Sequence, residues 1–227
     1  MPSLSQLLTS HGNLLVLDAA SMNVQVGLLQ SRAPALWRSS PGEAGAGIFT
    51  GAETILREAR LKIDAIEAFV FCAGPGSMLG IRTVAMALRT WQALWPRPAY
   101  AYQSLAIAAC FELTRKEPRD FFVIADARRE TWHCQPIDGS GRMPPLQRLP
   151  AATLPGGELV TPENFRSWTQ PPRPTGLCPY DLAAIFPAIT SIDCFRLVEA
   201  PDAFQHEAPD YRKWSAQIHQ AAIADKK

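Results

Sequence analysis

A chain of 227 residues, 47% hydrophobic and 19% charged, carries enough apolar material for an independent core, as one large domain or two small lobes. Its formal net charge of +1 argues against a basic platform for direct, tight nucleic-acid binding, and no apolar run approaches the length of a membrane helix. No Lys or Arg precedes Arg32 and the first residues lack a sustained apolar core, so no secretory signal is expected and a cytoplasmic location is. The five cysteines, Cys72, Cys110, Cys134, Cys178 and Cys194, are odd in number and form no C-x-x-C pair, which suits reduced, structural thiols.

In chain order, Leu14 to Asp18 is a strand, and Val24, Val26 and Leu28 alternate with Gln25 and Gly27 as a half-buried strand should. Ala35-Leu36-Trp37 supplies a third strand. After Pro41 comes a Gly-rich stretch, and then Ile48 to Leu61 places apolar residues at helical spacing. Ile66 to Ala73 is a compact apolar run, a buried strand parallel to the first. Met78 to Trp95 is a second helix closed by Pro96 and Pro98, Ala99 to Tyr102 a short strand, and Ser104 the N-cap of a helix through Leu113. The order β-β-β-α-β-α-β-α is that of one lobe of the ribonuclease-H-like/actin-like (ASKHA) α/β fold.

A second hairpin starts at Phe121–Asp126 and continues in Thr131–Ile137 across the charged turn 127–130. Of the twenty prolines, twelve follow Met143, so short elements and an eroded second lobe are expected there. An amphipathic stretch at Trp214–Ala224 reads as a terminal helix. The expected architecture is therefore two lobes of mixed sheet flanked by helices, residues 1–104 and 105–227, with the C-terminal tail packing back on the first.

Two segments carry a family resemblance. The strand Leu14-Leu15-Val16-Leu17-Asp18 with Ala19-Ala20-Ser21, and the turn Gly74-Pro75-Gly76-Ser77-Met78-Leu79-Gly80-Ile81-Arg82, together resemble TsaB (YeaZ), a noncatalytic glycoprotease-family homologue. In that family the turn is Gly-Pro-Gly-Ser-Phe-Thr-Gly-apolar-Arg; here Met78 and Leu79 replace the aromatic and the threonine. Asp126-Ala127-Arg128 resembles the family's Asp-Ala-Arg turn, and Pro209-Asp210-Tyr211-Arg212 its late Pro-x-Tyr-x-Arg. A His-Ser pair usual before the first helix is absent. The resemblance implies an actin-fold pseudoenzyme that supports threonylcarbamoyladenosine (t6A) synthesis in tRNA by binding a TsaD-like transferase, with a TsaE-like ATPase as a further partner and a homodimer in isolation. It implies no tightly bound cofactor. The partner face would be formed by the first two helices, and Ile55, Met78, Arg82, Ala85, Met86 and Arg89 are its candidate residues.

The chemistry of the motifs leaves alternatives open. Glycines between a strand and a helix can hold an anion at free N–H groups, or can simply let the helix turn back tightly with Ser77 as N-cap. Asp18 and Asp126 end equivalent strands, where active members of the superfold hold Mg²⁺ and ATP, yet neither is followed by a phosphate-wrapping glycine turn. Asp18 is therefore expected to cap a turn or bond Ser21. A rival reading keeps Mg-ATP between Asp18, Asp126 and the Gly74 turn. A third, a glycoprotease, lacks both a nucleophile elbow and histidines at ligand spacing, since His11, His133, His206 and His219 are scattered.

Overall fold

The computed structural model describes residues 1–204, so the match at 209–212, His206, His219 and the helix expected over 214–224 lie outside the described residues. The chain opens with helix α1 (Leu4–Ser10), which the sequence expectations lack. Its signal is the spacing Ser3-x-x-Gln6: the Ser3 hydroxyl accepts from the Gln6 N–H, and the Gln6 side chain accepts from the Ser3 N–H. Strands β1 (Asn13–Asp18), β2 (Asn23–Gln30) and β3 (Ala33–Pro41) form the expected antiparallel meander, although β3 runs well beyond 35–37.

Helix α2 (Ala44–Glu58) begins inside the stretch whose glycines suggested a loop. Tertiary packing overrides propensity here. A Cβ on Gly47 would stand 2.9 Å from a Val24 methyl, and one on Gly51 would stand 2.8 Å from a Val26 methyl. One helical turn apart, these two glycines let α2 lie directly on β2. Beyond it come β4 (Ala68–Gly74), parallel to β1 as expected, helix α3 (Met78–Leu94), strand β5 (Ala99–Gln103) and helix α4 (Ser104–Arg115). Ser104 is the first residue inside α4 and not its cap: its buried hydroxyl donates to the Pro75 carbonyl instead.

The second half holds β6 (Phe121–Asp126), β7 (Thr131–Ile137), β8 (Gln147–Pro150), a single 3₁₀ turn (Ala151–Thr153), β9 (Glu158–Pro162), β10 (Gly176–Cys178) and the short helix α5 (Leu182–Ala188). Strand β11 (Arg196–Val198) then returns to pair antiparallel with β5. The sheets run β11-β5-β4-β1-β2-β3 and β10-β9-β6-β7-β8. In each, a hairpin and a third antiparallel strand are followed by two parallel strands, the strand order of the ribonuclease-H-like/actin-like fold. The crossovers differ. In the first sheet α2 and α3 make them, whereas in the second the corresponding connections are the 3₁₀ turn and the structureless loop 163–175. That is the form the erosion of the second lobe takes.

The main core lies between the sheets, where α4 (Ile107, Phe111) and α5 (Ile185, Phe186) pack against Val16 and Val70 of one sheet and Val123 and Val160 of the other. The outer face of the first sheet is closed by α2 and α3 over Leu15, Leu17, Phe69 and Phe71. The outer face of the second has only a small cluster around Ile124, Trp132 and Leu159. Buried Glu112 near the end of α4 meets Arg115, Lys116 and Arg119, and Arg119 also reaches Glu158 of β9, fastening that helix to the second sheet.

Candidate functional site

The turn after β4 places Gly74, Pro75, Gly76 and Ser77 against the turn after β1. Gly74 has φ +116°, and a Cβ on Gly76 or Gly80 would stand 2.4 Å from the Ala20 carbonyl oxygen or 2.1 Å from that of Ala19. The Ser77 N–H donates to the Ala20 carbonyl at 2.7 Å, and the Ser77 hydroxyl accepts from the Gly80 N–H at 3.3 Å. The expected N-cap is thus present, and the glycines serve close approach of α3 to the β1–β2 turn. The carbonyls of Ala19 and Ala20 thus lie against this helix end.

Asp18 is fully buried. One carboxylate oxygen accepts from the Ala20 N–H at 2.7 Å; the other accepts from the hydroxyls of Tyr102 at 2.6 Å and Tyr180 at 2.7 Å. It therefore caps the turn, as one of the two readings had it, and leaves Ser21 to bond the backbone of Asn23. Burial pushes the Asp18 carboxyl above its ordinary value, opposed by the hydrogen bonds from Tyr102, Ala20 and Tyr180. Burial and then the neighbouring carboxylate push Cys72, Tyr102 and Tyr180 well up. Gln25 completes the node: its amide donates to the Tyr180 carbonyl at 3.0 Å and accepts from the Leu182 N–H at 2.8 Å. Tyr180 carried no sequence signal, and Gln25, expected on the open face of a half-buried strand, lies in a β2 buried on both faces, because the two halves dock over it.

Asp126 stands at the matching place in the second sheet, and its environment is the reverse. It is partly exposed, and accepts from the N–H groups of Arg128, Trp168 and Thr169 and from the hydroxyls of Ser167 and Thr169. These bonds outweigh burial and hold the carboxyl below its ordinary value. The turn beyond it winds through three left-handed residues, Arg128, Arg129 and Glu130, with φ of 65°, 52° and 57°. Both strand-end carboxylates are thus engaged by their own chain.

The partner-face residues divide. Ile55 and Ala85 are buried in the chain's own core and present no surface, and Arg89 is turned to the Pro201 carbonyl and to Asp202. Met78, Arg82 and Met86 are exposed. The face they share includes residues that the sequence expectations did not name: Leu79, Thr83, Thr90 and Leu94. Leu79 is 78% exposed, Met86 59% and Leu94 63%. Thr83 and Thr90 each donate their hydroxyl to the carbonyl four residues back, so what they turn outward is methyl. Beside this row, half-exposed Phe49 of α2 meets Trp91 edge-on, and Trp91 stacks on buried Phe69. The result is an apolar ridge broken by Arg82, bordered by the Arg89–Asp202 pair and anchored to the core.

The remaining candidates are structural. The His11 ring bonds the Tyr100 hydroxyl at 3.1 Å. All five thiols are free and buried; burial raises Cys110 and Cys134 to about 11 and Cys178 and Cys194 to about 12. Among the described residues no cluster of three or more His, Cys, Asp or Glu could hold a metal ion, and no helix is long and apolar enough to cross a membrane.

Comparison with known proteins follows the same line. The family model described as TsaD, tRNA N6-adenosine threonylcarbamoyltransferase, matches residues 48–135, a span that holds the Gly74–Arg82 turn and Asp126. YeaZ from Pseudomonas aeruginosa superposes with a TM-score of 0.62 at 21% identity, over 79% of this chain and 90% of that one. The chain is YeaZ-like in fold. A second structure, described as an uncharacterized protein with similarity to peptidase YeaZ from Pseudomonas aeruginosa, gives a TM-score of 0.60 at 20% identity over 76% and 88%. No curated protein matches the sequence. The resemblance to TsaB/YeaZ drawn from the Gly74–Arg82 turn therefore stands at the level of the fold.

Proposed function

We propose that this YeaZ-like chain acts in tRNA threonylcarbamoyladenosine modification as a noncatalytic subunit that docks a TsaD-like transferase on the outer face of α3 and the adjoining Phe49 of α2. The observation that carries the reading is the ridge Leu79, Met86 and Leu94, apolar and exposed on a helix whose other side is in the core. Covering such a row takes water off apolar surface at about 25 cal/mol per Å², and a ridge set on a rigid helix loses little entropy in docking. The partner gains what differential affinity supplies: the chain stabilises whichever state of the transferase fits this face. Without that partner, the same ridge supports self-association.

The two aspartates support the noncatalytic part of the reading. A carboxylate that would hold Mg-ATP needs a free oxygen facing the ligand, and Asp18 has given both of its oxygens to Ala20, Tyr102 and Tyr180. Co-purification with the host's TsaD-type protein tests the proposal. Wild type is expected to carry the transferase through two columns, and Leu79→Glu with Met86→Glu to lose it while unfolding within about 0.5 kcal/mol of wild type, since both side chains are exposed. In cells, depletion should lower threonylcarbamoyladenosine in tRNA, and wild type but not the double variant should restore it. A wild-type chain that neither retains the transferase nor restores the modification sinks the proposal.

A further inference from the structure

The missing crossover helix of the second sheet leaves a space. Where α3 crosses the first sheet, loop 163–175 crosses the second, and beneath it lies a cavity of about 660 Å³ at the carboxyl ends of β6 and β9. That volume is within the usual range for small-molecule sites, and the ends of parallel strands are where α/β sheets place them. A structureless loop of this length in a compact fold commonly serves a site.

The loop is fastened at three places. Met22 N–H donates to the Asn164 carbonyl at 2.7 Å, Glu163 N–H donates to the Cys178 carbonyl at 2.9 Å, and Asp126 receives the donors of Ser167, Trp168 and Thr169. The rim is thereby fixed while the space below stays open. Held there by its backbone, Trp168 leaves 54% of its surface in solvent. The Arg128 guanidinium lies 4.4 Å from its ring centre and that of Arg166 5.9 Å. Among the described residues neither arginine has an ion pair. A guanidinium stacked on an indole keeps its in-plane N–H groups available for an anion. Below the rim the lining turns apolar, with half-buried Phe165 and exposed Leu177 above the buried Ile124 and Trp132.

We propose that this cavity binds an anionic small molecule with an aromatic body, its ring against the Phe165–Leu177 lining and its anionic group at Arg166, with Arg128 on the Trp168 ring at the rim adding its charge. The anion can be a phosphate or a carboxylate, as both match the planar fork of arginine. Glu163 and Asp126, on the same lining, oppose any such ligand and limit its affinity. The site is separate from the α3 ridge, so either proposal can fail alone.

Titration calorimetry on the full chain tests it with AMP, indole-3-acetate, inorganic phosphate and uncharged adenosine as probes. At least one of the two aromatic anions is expected to bind with a micromolar dissociation constant, and whichever binds names the anion. Phosphate alone and adenosine alone should bind at least about tenfold more weakly, and Arg166→Gln and Trp168→Ala should each weaken the aromatic anion by about tenfold. Trp168→Ala keeps the backbone N–H that Asp126 accepts, so the loop stays anchored. Glu163→Gln should tighten binding about threefold, and Arg57→Gln on the exposed side of α2 should change nothing. No binding of either aromatic anion at about 1 mM overturns the proposal. So does binding that adenosine matches, or that survives both Arg166→Gln and Trp168→Ala.

Discussion

Asp18 and Asp126 end the first strand of two sheets with the same strand order, and the fold has put them to opposite uses. Asp18 is sealed in, with its carboxyl raised above the ordinary value, and joins β1, β5 and the segment before α5 through two tyrosine hydroxyls. Asp126 is half open to water, with its carboxyl lowered, and gathers a surface loop. One holds the two sheets together, while the other shapes a rim. Equivalent position in a duplicated topology does not dictate equivalent work; what packs over the turn does. Over Asp18 lies the N-terminus of α3, and at Asp126 the matching helix is gone.

Removing each carboxylate is the largest perturbation of this contrast. Asp18→Ala leaves two buried hydroxyls and a buried N–H without an acceptor and should cost about 4 kcal/mol in urea unfolding. Asp126→Ala should cost only about 1 to 2 kcal/mol, because water reaches the freed donors, but limited proteolysis should now cut within 163–175. Equal losses would break the comparison.

The turns themselves offer the next test. Gly80→Ala drives a methyl into the Ala19 carbonyl, 2.1 Å from the ideal Cβ, and should cost about 3 kcal/mol. In the other turn the change to try is the reverse one: Arg129→Gly removes a side chain from a left-handed residue (φ 52°) and should stabilise by about 0.5 to 1 kcal/mol in the same measurement.

The smallest effect is in the pH dependence, and the signs differ. A raised carboxyl adds stability that is complete below the ordinary 3.8 and fades as pH rises through its folded value, whereas a lowered one adds stability that is complete above 3.8 and fades as pH falls through its folded value. Asp18→Asn should therefore lose most, relative to wild type, in acid and less as pH rises. Asp126→Asn should match wild type in acid and fall behind towards neutrality. Denaturant midpoints measured from pH 3 to 8, a range set about the ordinary carboxylate value of ~4, would show the two slopes.

Much of this was open to a reader of the sequence. Alternation marked β2, apolar runs marked β1, β4 and β6, and the Gly74–Arg82 turn marked both the strand-to-helix junction and the family resemblance, because local patterns encode local structure. What is less legible falls into two classes. Helix α1 is written locally, in the short Ser3-x-x-Gln6 box; the start of α2 is hidden because Gly47 and Gly51 answer to the valines of β2 and not to helix propensity. The partners of the aspartates were not local at all. Nothing near Tyr180 or Trp168 announces that each meets a carboxylate from a distant strand. The same holds for the ridge: spacing found the right helix, yet only burial separates Met86, which faces water, from Ala85, which does not.

The hydrogen bond between Tyr180 and Asp18 spans 162 residues of sequence. Such a bond can form only after nearly the whole described chain has been gathered, and closing a loop of that length brings a large entropic cost before any contact repays it. The first sheet's hairpin, by contrast, closes across a four-residue turn. The buried node is accordingly expected late among the native contacts, and without Tyr180 the Asp18 oxygen that the two tyrosines share has Tyr102 alone as its donor.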